Sequence, residues 1–277
     1  MGLDMPAILI LSSFVASSRV GGSAQALALA RLGIEPILAP TVLLGRHPGL
    51  GAPGGAAVEA ATMAAMLDAV EANGRFGALD AVITGHFSHP DQARLAAQTL
   101  RRVKAASPGA RLIVDPVMGD APGGLYVGAA VAEAIARELA PLADLLAPNA
   151  FELERLSGAP ITGEATALAA ATRLGRPVLV SSVPSGAEIG VVYAEGGRGW
   201  LAAHARAPAA PKGCGDLLTA FFAAALVQGF ALHDALQAAV GALAEMIADG
   251  GGGDPAIGSL PTRLAASARV RLEAVHG

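Results

Sequence analysis

Residues 81–120 read AVITGHFSHPDQARLAAQTLRRVKAASPGARLIVDPVMGD. Two short apolar runs, AVIT at 81–84 and RLIV at 111–114, flank a stretch at 91–106 with helical spacing. A four-residue apolar run bounded by turn residues is the pattern of a buried strand. Strand, helix and strand at this length make a βαβ unit, whose two strands lie parallel. RLIV ends on Asp115-Pro116. Proline stops the strand, and the aspartate is left at its carboxyl end, where open parallel sheets bind their ligands. Taken alone, Asp115 reads equally as a polar strand stop.

The same theme runs outward in both directions. AILIL at 7–11 is a buried strand, 23–32 a helix ending near Gly33, and 35–38 a second short strand. Residues 56–72 are helical with Gly74 as stop signal, 131–139 are helical, and VLVS at 178–181 is another strand. After Ser182 the pattern changes: 188–193 and 200–205, joined by EGGRG, read as an antiparallel hairpin. Two helices follow at 215–228 and 232–247, then a weakly structured stretch beginning GGGGDP, then a final helix at 264–275. These elements predict an α/β fold with a mostly parallel central sheet covered on both faces and a C-terminal antiparallel portion. With no repeat and no linker, residues 1–277 read as one domain.

Composition narrows the classes. Among 277 residues 53% are hydrophobic and 15% charged, which excludes a disordered chain. The most apolar stretch, 217–230, is interrupted by Thr219, Gln228 and Gly229 and is too short to span a membrane. The opening MGLDMP has an acid and no lysine or arginine, unlike a signal peptide, so a soluble cytoplasmic protein is expected. Net charge −4, no basic run and 4% aromatic residues argue against nucleic acid. A single cysteine, Cys214, excludes an internal disulfide and a cysteine-rich metal site.

Four stretches put polar residues where strands end or helices begin. Lys212-Gly213-Cys214-Gly215-Asp216 precedes an apolar helix. Its glycines and the helix start form an anion cradle, with Asp216 beside it as acceptor of a hydroxyl proton. Read blandly, Asp216 is an N-terminal helix acid and the glycines a turn. Asp115 to Asp120 (DPVMGD) could hold metal waters or neutralise phosphates. Asn149 and Glu152 in PNAFE stand three apart at a helix start, which fits one shared site and also an ordinary capping box. Ser181 and Ser182 offer two hydroxyls for nucleotide phosphates.

In that order, DPVMGD, APNAFE, VSS and GCGD resemble the pyridoxal kinases of the ribokinase-like superfamily. ILILSSFVASSRVGGSAQALALARLG at the amino end, TVLLGRHPG and ITGH extend the resemblance from Ala7 to about Ile247. It implies a three-layer α/β/α ribokinase-like fold and ATP-dependent phosphorylation of the 5′-hydroxyl of a B6 vitamer. By this resemblance Asp216 is the catalytic base, and Gly213, Cys214 and Gly215 form the anion hole. Asp115 and Glu152 organise Mg²⁺, through water, and Asn149 joins them around the phosphates. Ser181 and Ser182 contact nucleotide phosphates, while Asp120 and Tyr126 belong to a segment over ATP. Ser13, Leu44, His47 and His86 surround the vitamer. The partners implied are MgATP and the vitamer, with a monovalent cation left open, in a homodimer.

The departures concentrate in the vitamer pocket. Cys214 stands where the family has threonine, His86 where it has tyrosine, Leu44 for an aromatic residue and Pro48 for a hydroxyl-bearing one. Cys214 beside a phosphate site raises a nucleophile alternative. Two rivals share the motifs: a hydroxymethylpyrimidine kinase, whose final motif resembles Gly-Thr-Gly-Cys where this chain keeps Asp216, and a non-catalytic vitamer-binding protein. There is no Walker sequence, and no Gly-x-Gly-x-x-Gly follows the first strand.

Overall fold

The computed structural model describes residues 5–208, 210–249 and 253–276. The start of MGLDMP and most of the glycine run at 250–253 lie outside them. In chain order the elements are β1 (Ala7–Val15), α1 (Gly21–Arg31), β2 (Glu35–Leu44), β3 (Gly55–Ala57), α2 (Ala60–Ala72), β4 (Ala81–Thr84) and α3 (Pro90–Ala106). Next come β5 (Arg111–Val114), β6 (Gly119–Asp120), β7 (Gly124–Leu125), α4 (Ala129–Ala134), β8 (Leu145–Leu146), α5 (Ala150–Ser157) and α6 (Glu164–Arg173). The chain closes with β9 (Val178–Ser185), β10 (Glu188–Glu195), β11 (Arg198–Ala205), α7 (Cys214–Val227), α8 (Leu232–Asp249) and β12 (Arg271–Val275).

One ten-stranded sheet runs β12-β11-β10-β9-β8-β5-β4-β1-β2-β3, and β6 and β7 form a separate hairpin. The strands from β2 to β9 are parallel, while β3 at one edge and β10, β11 and β12 at the other are antiparallel. Alternation along β1 sends Ile8 and Ile10 into a core with α1, α7 and α8, and Leu9 and Leu11 into a second core under α2 to α6. Both faces of the sheet are covered, so its strands read as unbroken apolar runs. This is the three-layer α/β/α fold expected from the sequence. No helix among the described residues is long and apolar enough to cross a membrane.

The chain leaves β1 through α1 to β2 on one side, then returns past β1 to place β4 on the other. That reversal opens a crevice at the carboxyl ends of β1 and β4, the usual ligand position in such sheets. β1 and β2 also run on to Val15 and Leu44, past a register shift between Ser12 and Phe14. Polar residues in SSFV and prolines in APTVLL hide this extension from periodicity.

Two expected helices are corrected. Residues 56–57, read as helix, belong to β3, and the helix begins at Ala60. Gly54 and Gly55 take positive φ (62° and 94°), turning the chain back onto β2. A Cβ at Gly55 would overlap Leu43 O, so only glycine permits that pairing. The final helix expected at 264–275 is not formed: 271–275 make β12, paired antiparallel with β11 from Ala203↔Arg271 to Gly199↔Val275. The open edge of β11 supplies backbone partners, and that tertiary demand overrides the local helical spacing.

Helix α7 is buried along Leu217 to Leu226, as expected for a helix apolar on every side. Its Phe222 is fully enclosed and meets Tyr193 at 5.9 Å between ring centroids. Phe222→Ala should therefore destabilise the fold by about 3–5 kcal/mol. Urea denaturation measures this, and a loss under about 1 kcal/mol would contradict the packing described.

Candidate active site

Each parallel strand ends at the same edge of the sheet, and the residues just beyond it face the crevice. β5 ends at Asp115, whose amide donates to Thr84 O at 3.2 Å and whose Oδ2 accepts from Thr219 Oγ1 at 2.9 Å. Thr219 lies one turn into α7, so a single hydroxyl ties the strand end to the helix start. Beyond β8, Asn149 caps α5: its Oδ1 accepts from Glu152 N–H at 3.0 Å, and Glu152 Oε2 accepts from Asn149 N–H at 2.9 Å. The capping box is real, yet it serves the site as well. Glu152 Oε1 accepts from the amides of Met118 and Gly119 at 2.8 and 3.3 Å, and Asn149 Nδ2 donates to Gly119 O at 2.8 Å. Cap and DPVMG loop are thus one hydrogen-bonded unit.

Gly213 opens α7 with φ 81°, a left-handed conformation, and a Cβ there would lie 2.7 Å from Arg19 O. Glycine is required on both counts. The first helical bond, Leu217 N–H to Gly213 O at 2.9 Å, leaves the amides of Cys214, Gly215 and Asp216 free of backbone partners among the described residues. Gly215 is helical, not a turn residue, and a Cβ there would meet nothing within 4 Å. A helix start with free N–H groups attracts anions.

Asp216 is half-buried, and its Oδ2 accepts from Gly21 N–H at 2.8 Å. Burial pushes its carboxyl up to about 6, with the Gly21 amide pulling the other way. Burial also pushes the Cys214 thiol up to about 12, helped by Asp216, and its Sγ donates to Pro211 O at 3.1 Å. A protonated thiol engaged with a carbonyl is a poor nucleophile, so the thiol alternative loses its basis.

Asp115, Glu152 and Asp216 form an acidic group without a basic counterpart. Burial raises Asp115 well above the carboxylate range, and Glu152 and then Asp216 add to the rise. Burial lifts Glu152 to about 7 against the pull of the Met118, Asn149 and Gly119 amides. Such a set calls for a cation. Among the described residues no three His, Cys, Asp or Glu side chains converge to hold a metal by themselves. The arrangement therefore fits an ion that keeps its own waters and shares phosphate oxygens, as Mg²⁺ does.

The remaining expected residues fall into two groups. On the β1–β4 side, Ser13 is buried with Oγ packed on Gly21 so closely that any Cβ there would overlap it. His86 is held by its backbone, its N–H donating to Ser12 Oγ at 3.3 Å and its O accepting from Thr41 Oγ1 at 2.6 Å. Its Nδ1 is enclosed without a partner, and burial keeps the ring neutral. His47 accepts from Gly49 N–H through Nδ1 at 3.0 Å, and burial followed by nearby Lys212 lowers its pKa, against Asp254. Leu44 ends β2, half-buried opposite Val15. On the other side, Ser181 bridges to Asn149 beside Pro148 O, and Ser182 has φ 60°, unusual for a non-glycine. The register slips at this point of the β9–β10 pair, a bulge that re-aims the side chains. Tyr126 follows the β6–β7 hairpin, is exposed, and donates its backbone N–H to Met118 O at 2.8 Å. Leu44, His47 and Tyr126 make no hydrogen bond to the acidic group among the described residues.

Sequence reasoning missed Gly21 and Thr219. Thr219 is a lone hydroxyl in the apolar run LLTAFFAAALV, three residues after Asp216, which was a readable signal. Gly21 acts through its backbone amide, for which sequence has no sign.

Against known proteins, the family model described as phosphomethylpyrimidine kinase matches residues 31–259. The pyridoxine/pyridoxal/pyridoxamine kinase of Bordetella avium (strain 197N) is 34% identical over 250 residues, covering 87% of this chain and 84% of that protein. The crystal structure of pyridoxal kinase from Entamoeba histolytica matches with TM-score 0.90 at 23% identity, across 98% of this chain and 100% of that one. Pyridoxal kinase from Leishmania donovani in complex with ADP and pyridoxine matches with TM-score 0.86 at 24% identity, across 98% and 99%. At these identities the structural matches speak for the fold.

The acidic group sets a pH dependence. Folded-state pKa values above the unfolded ones mean that the folded chain binds more protons, so stability falls as pH rises through them. Below about 6.5 the unfolded chain takes protons on histidines that the fold keeps neutral, an opposing trend. The Tm of the unliganded protein should therefore rise by roughly 2–4 °C from pH 8.5 to 7. Differential scanning fluorimetry tests this, and a flat or falling Tm would contradict the electrostatics described.

Proposed function

The chain belongs to the pyridoxal kinases, within the phosphomethylpyrimidine kinase family, and on that footing we propose that it transfers the γ-phosphoryl group of ATP to the 5′-hydroxyl of pyridoxal or a related B6 vitamer. The observation that carries the reading is Asp216 in the first turn of α7, a proton acceptor beside three free amides.

The chemistry follows from positions. Asp216, ionised above about 6, accepts the proton of the vitamer hydroxyl as its oxygen bonds to the γ-phosphorus. The bond from that phosphorus to the β–γ bridging oxygen breaks, and ADP leaves. The amides of Cys214, Gly215 and Asp216 donate to the oxygens of the transferring group, whose charge they stabilise in place of water. Asp115 and Glu152 would hold Mg²⁺ through its water shell. When bound, that ion would neutralise charge on the phosphates. Asn149, Ser181 and Ser182 would contact the nucleotide phosphates, with Asp120 and Tyr126 on the hairpin above them. ADP in the Leishmania donovani pyridoxal kinase supports this side of the proposal. Ser13, Leu44, His47 and His86 would line the vitamer side. The homodimer and the cytoplasmic setting implied by the resemblance belong to the same proposal.

The test is ATP-dependent phosphorylation by the purified protein with Mg²⁺, offering pyridoxal, pyridoxine, pyridoxamine and hydroxymethylpyrimidine. Product from a B6 vitamer is expected; product from the pyrimidine alone, or from none of the four, overturns the reading. Asp216→Asn should lower kcat by roughly 10²–10⁴-fold and leave ATP binding nearly unchanged. Mg²⁺ alone should raise the Tm at pH 8 more than at pH 6, because protons and the cation compete for the same carboxylates.

A further inference from the structure

Helix α1 is built of small and apolar residues with one exception in its buried face. Gln25 is fully enclosed, at 0% exposure. Its Nε2 donates to the main-chain O of Asp216 at 3.4 Å, and its Oε1 has no partner among the described residues. The orientation is forced, because a carbonyl can only accept and so must face the amide's NH₂. An enclosed acceptor without a donor is unfavourable, and an alanine or leucine, as at Ala24, Ala28 and Leu29 of this face, would avoid it. The only hydrogen bond the side chain makes among the described residues is to Asp216.

One turn before it on the same face of α1, Gly21 donates its amide to the Asp216 carboxylate at 2.8 Å. The helix thus grips Asp216 twice, Gly21 on the side chain and Gln25 on the main chain. Within its own segment the first turn of α7 is fixed by Cys214 Sγ donating to Pro211 O and by Leu217 N–H donating to Gly213 O, and α1 holds it from outside. Gly213 and Gly215 bring no side chains, and a first turn has no ladder bonds for its amides. We propose that Gln25 is a positioning residue for the reaction: by holding the main chain of Asp216 from the neighbouring helix, it fixes the first turn of α7, and with it both the proton acceptor and the three amides of the cradle. The proposal rests on the kinase reading above.

The test compares the parent, Gln25→Met, Asp216→Asn and the double variant, with whichever vitamer the parent phosphorylates. Gln25→Ala, which cannot overpack, is run beside the methionine variant. Gln25→Met should lower kcat by about ten-fold or more, with both KM values within about three-fold of the parent. Its Tm should equal or exceed that of the parent, because the unpaired acceptor is gone. The acid limb of its pH profile should move upward, since a looser first turn weakens the Gly21 contact that favours the carboxylate. In the Asp216→Asn background the same substitution should lower the residual rate by a smaller factor than in the parent, because the part that acts through the proton acceptor is already gone while the part that acts through the amides remains. A kcat within about two-fold of the parent, an equal fall in both backgrounds, or a fall in kcat with a lower Tm in both Gln25 variants would overturn the inference. A parent without turnover on any vitamer would instead overturn the kinase reading on which it rests.

Discussion

Three carboxyl groups lie within electrostatic reach of one another at the carboxyl edge of the sheet, with no basic side chain paired to them among the described residues. Burial and mutual repulsion drive them to take up protons, and much of the local architecture opposes this drive. Thr219 donates to Asp115, three main-chain amides donate to Glu152, and Gly21 donates to Asp216. Every one of these donors is neutral. Neutral donors hold the acids in place without cancelling their charge, and so leave a field suited to a cation that comes with phosphates. A lysine or arginine in the group would give a more stable fold and a weaker site.

The order of strands makes the meeting possible. Asp115, Asn149 and Ser181 follow β5 and β8 or stand in β9, three neighbours in the parallel part of the sheet, while α7 crosses the same edge from the other layer. The antiparallel strands have a different task. β10, β11 and β12 extend the sheet away from the crevice, and β11 contributes Trp200, which packs by Tyr193, itself against Phe222 of α7. Packing far from the crevice thereby anchors the body of the helix whose first turn carries Asp216.

The sequence exposed what depends on short, local patterns. AVIT, RLIV and VLVS were legible as buried strands because each is a compact apolar run, and the acids just beyond RLIV and within PNAFE were legible because they break such runs. What escaped depends on partners distant in the chain. Residues 264–275 carry helical spacing, yet the free edge of β11 takes 271–275 as a strand. Gly55 joins β2 because its backbone alone can approach Leu43. Gly21 and Gln25 act on a residue more than 190 positions away, through an amide that every residue has and a side chain that reads as helix filler.

The same distinction explains where the chain departs from the pattern it resembles. The cradle at the start of α7 is made of main-chain N–H groups, so exchanging threonine for Cys214 changes little: the thiol turns to Pro211 O and stays protonated. The glycine before it is not exchangeable, because Gly213 needs both its positive φ and the missing Cβ against Arg19 O. Under the proposed function the vitamer side would work by side-chain chemistry, and there each exchange would alter what is bound. His86 in place of tyrosine brings a neutral imidazole whose Nδ1 is enclosed without a partner among the described residues, on a backbone held by Ser12 and Thr41. A site built from backbone amides tolerates substitution and stays recognisable, whereas one built from side chains diverges, and the departures of this chain fall where side chains would carry the recognition.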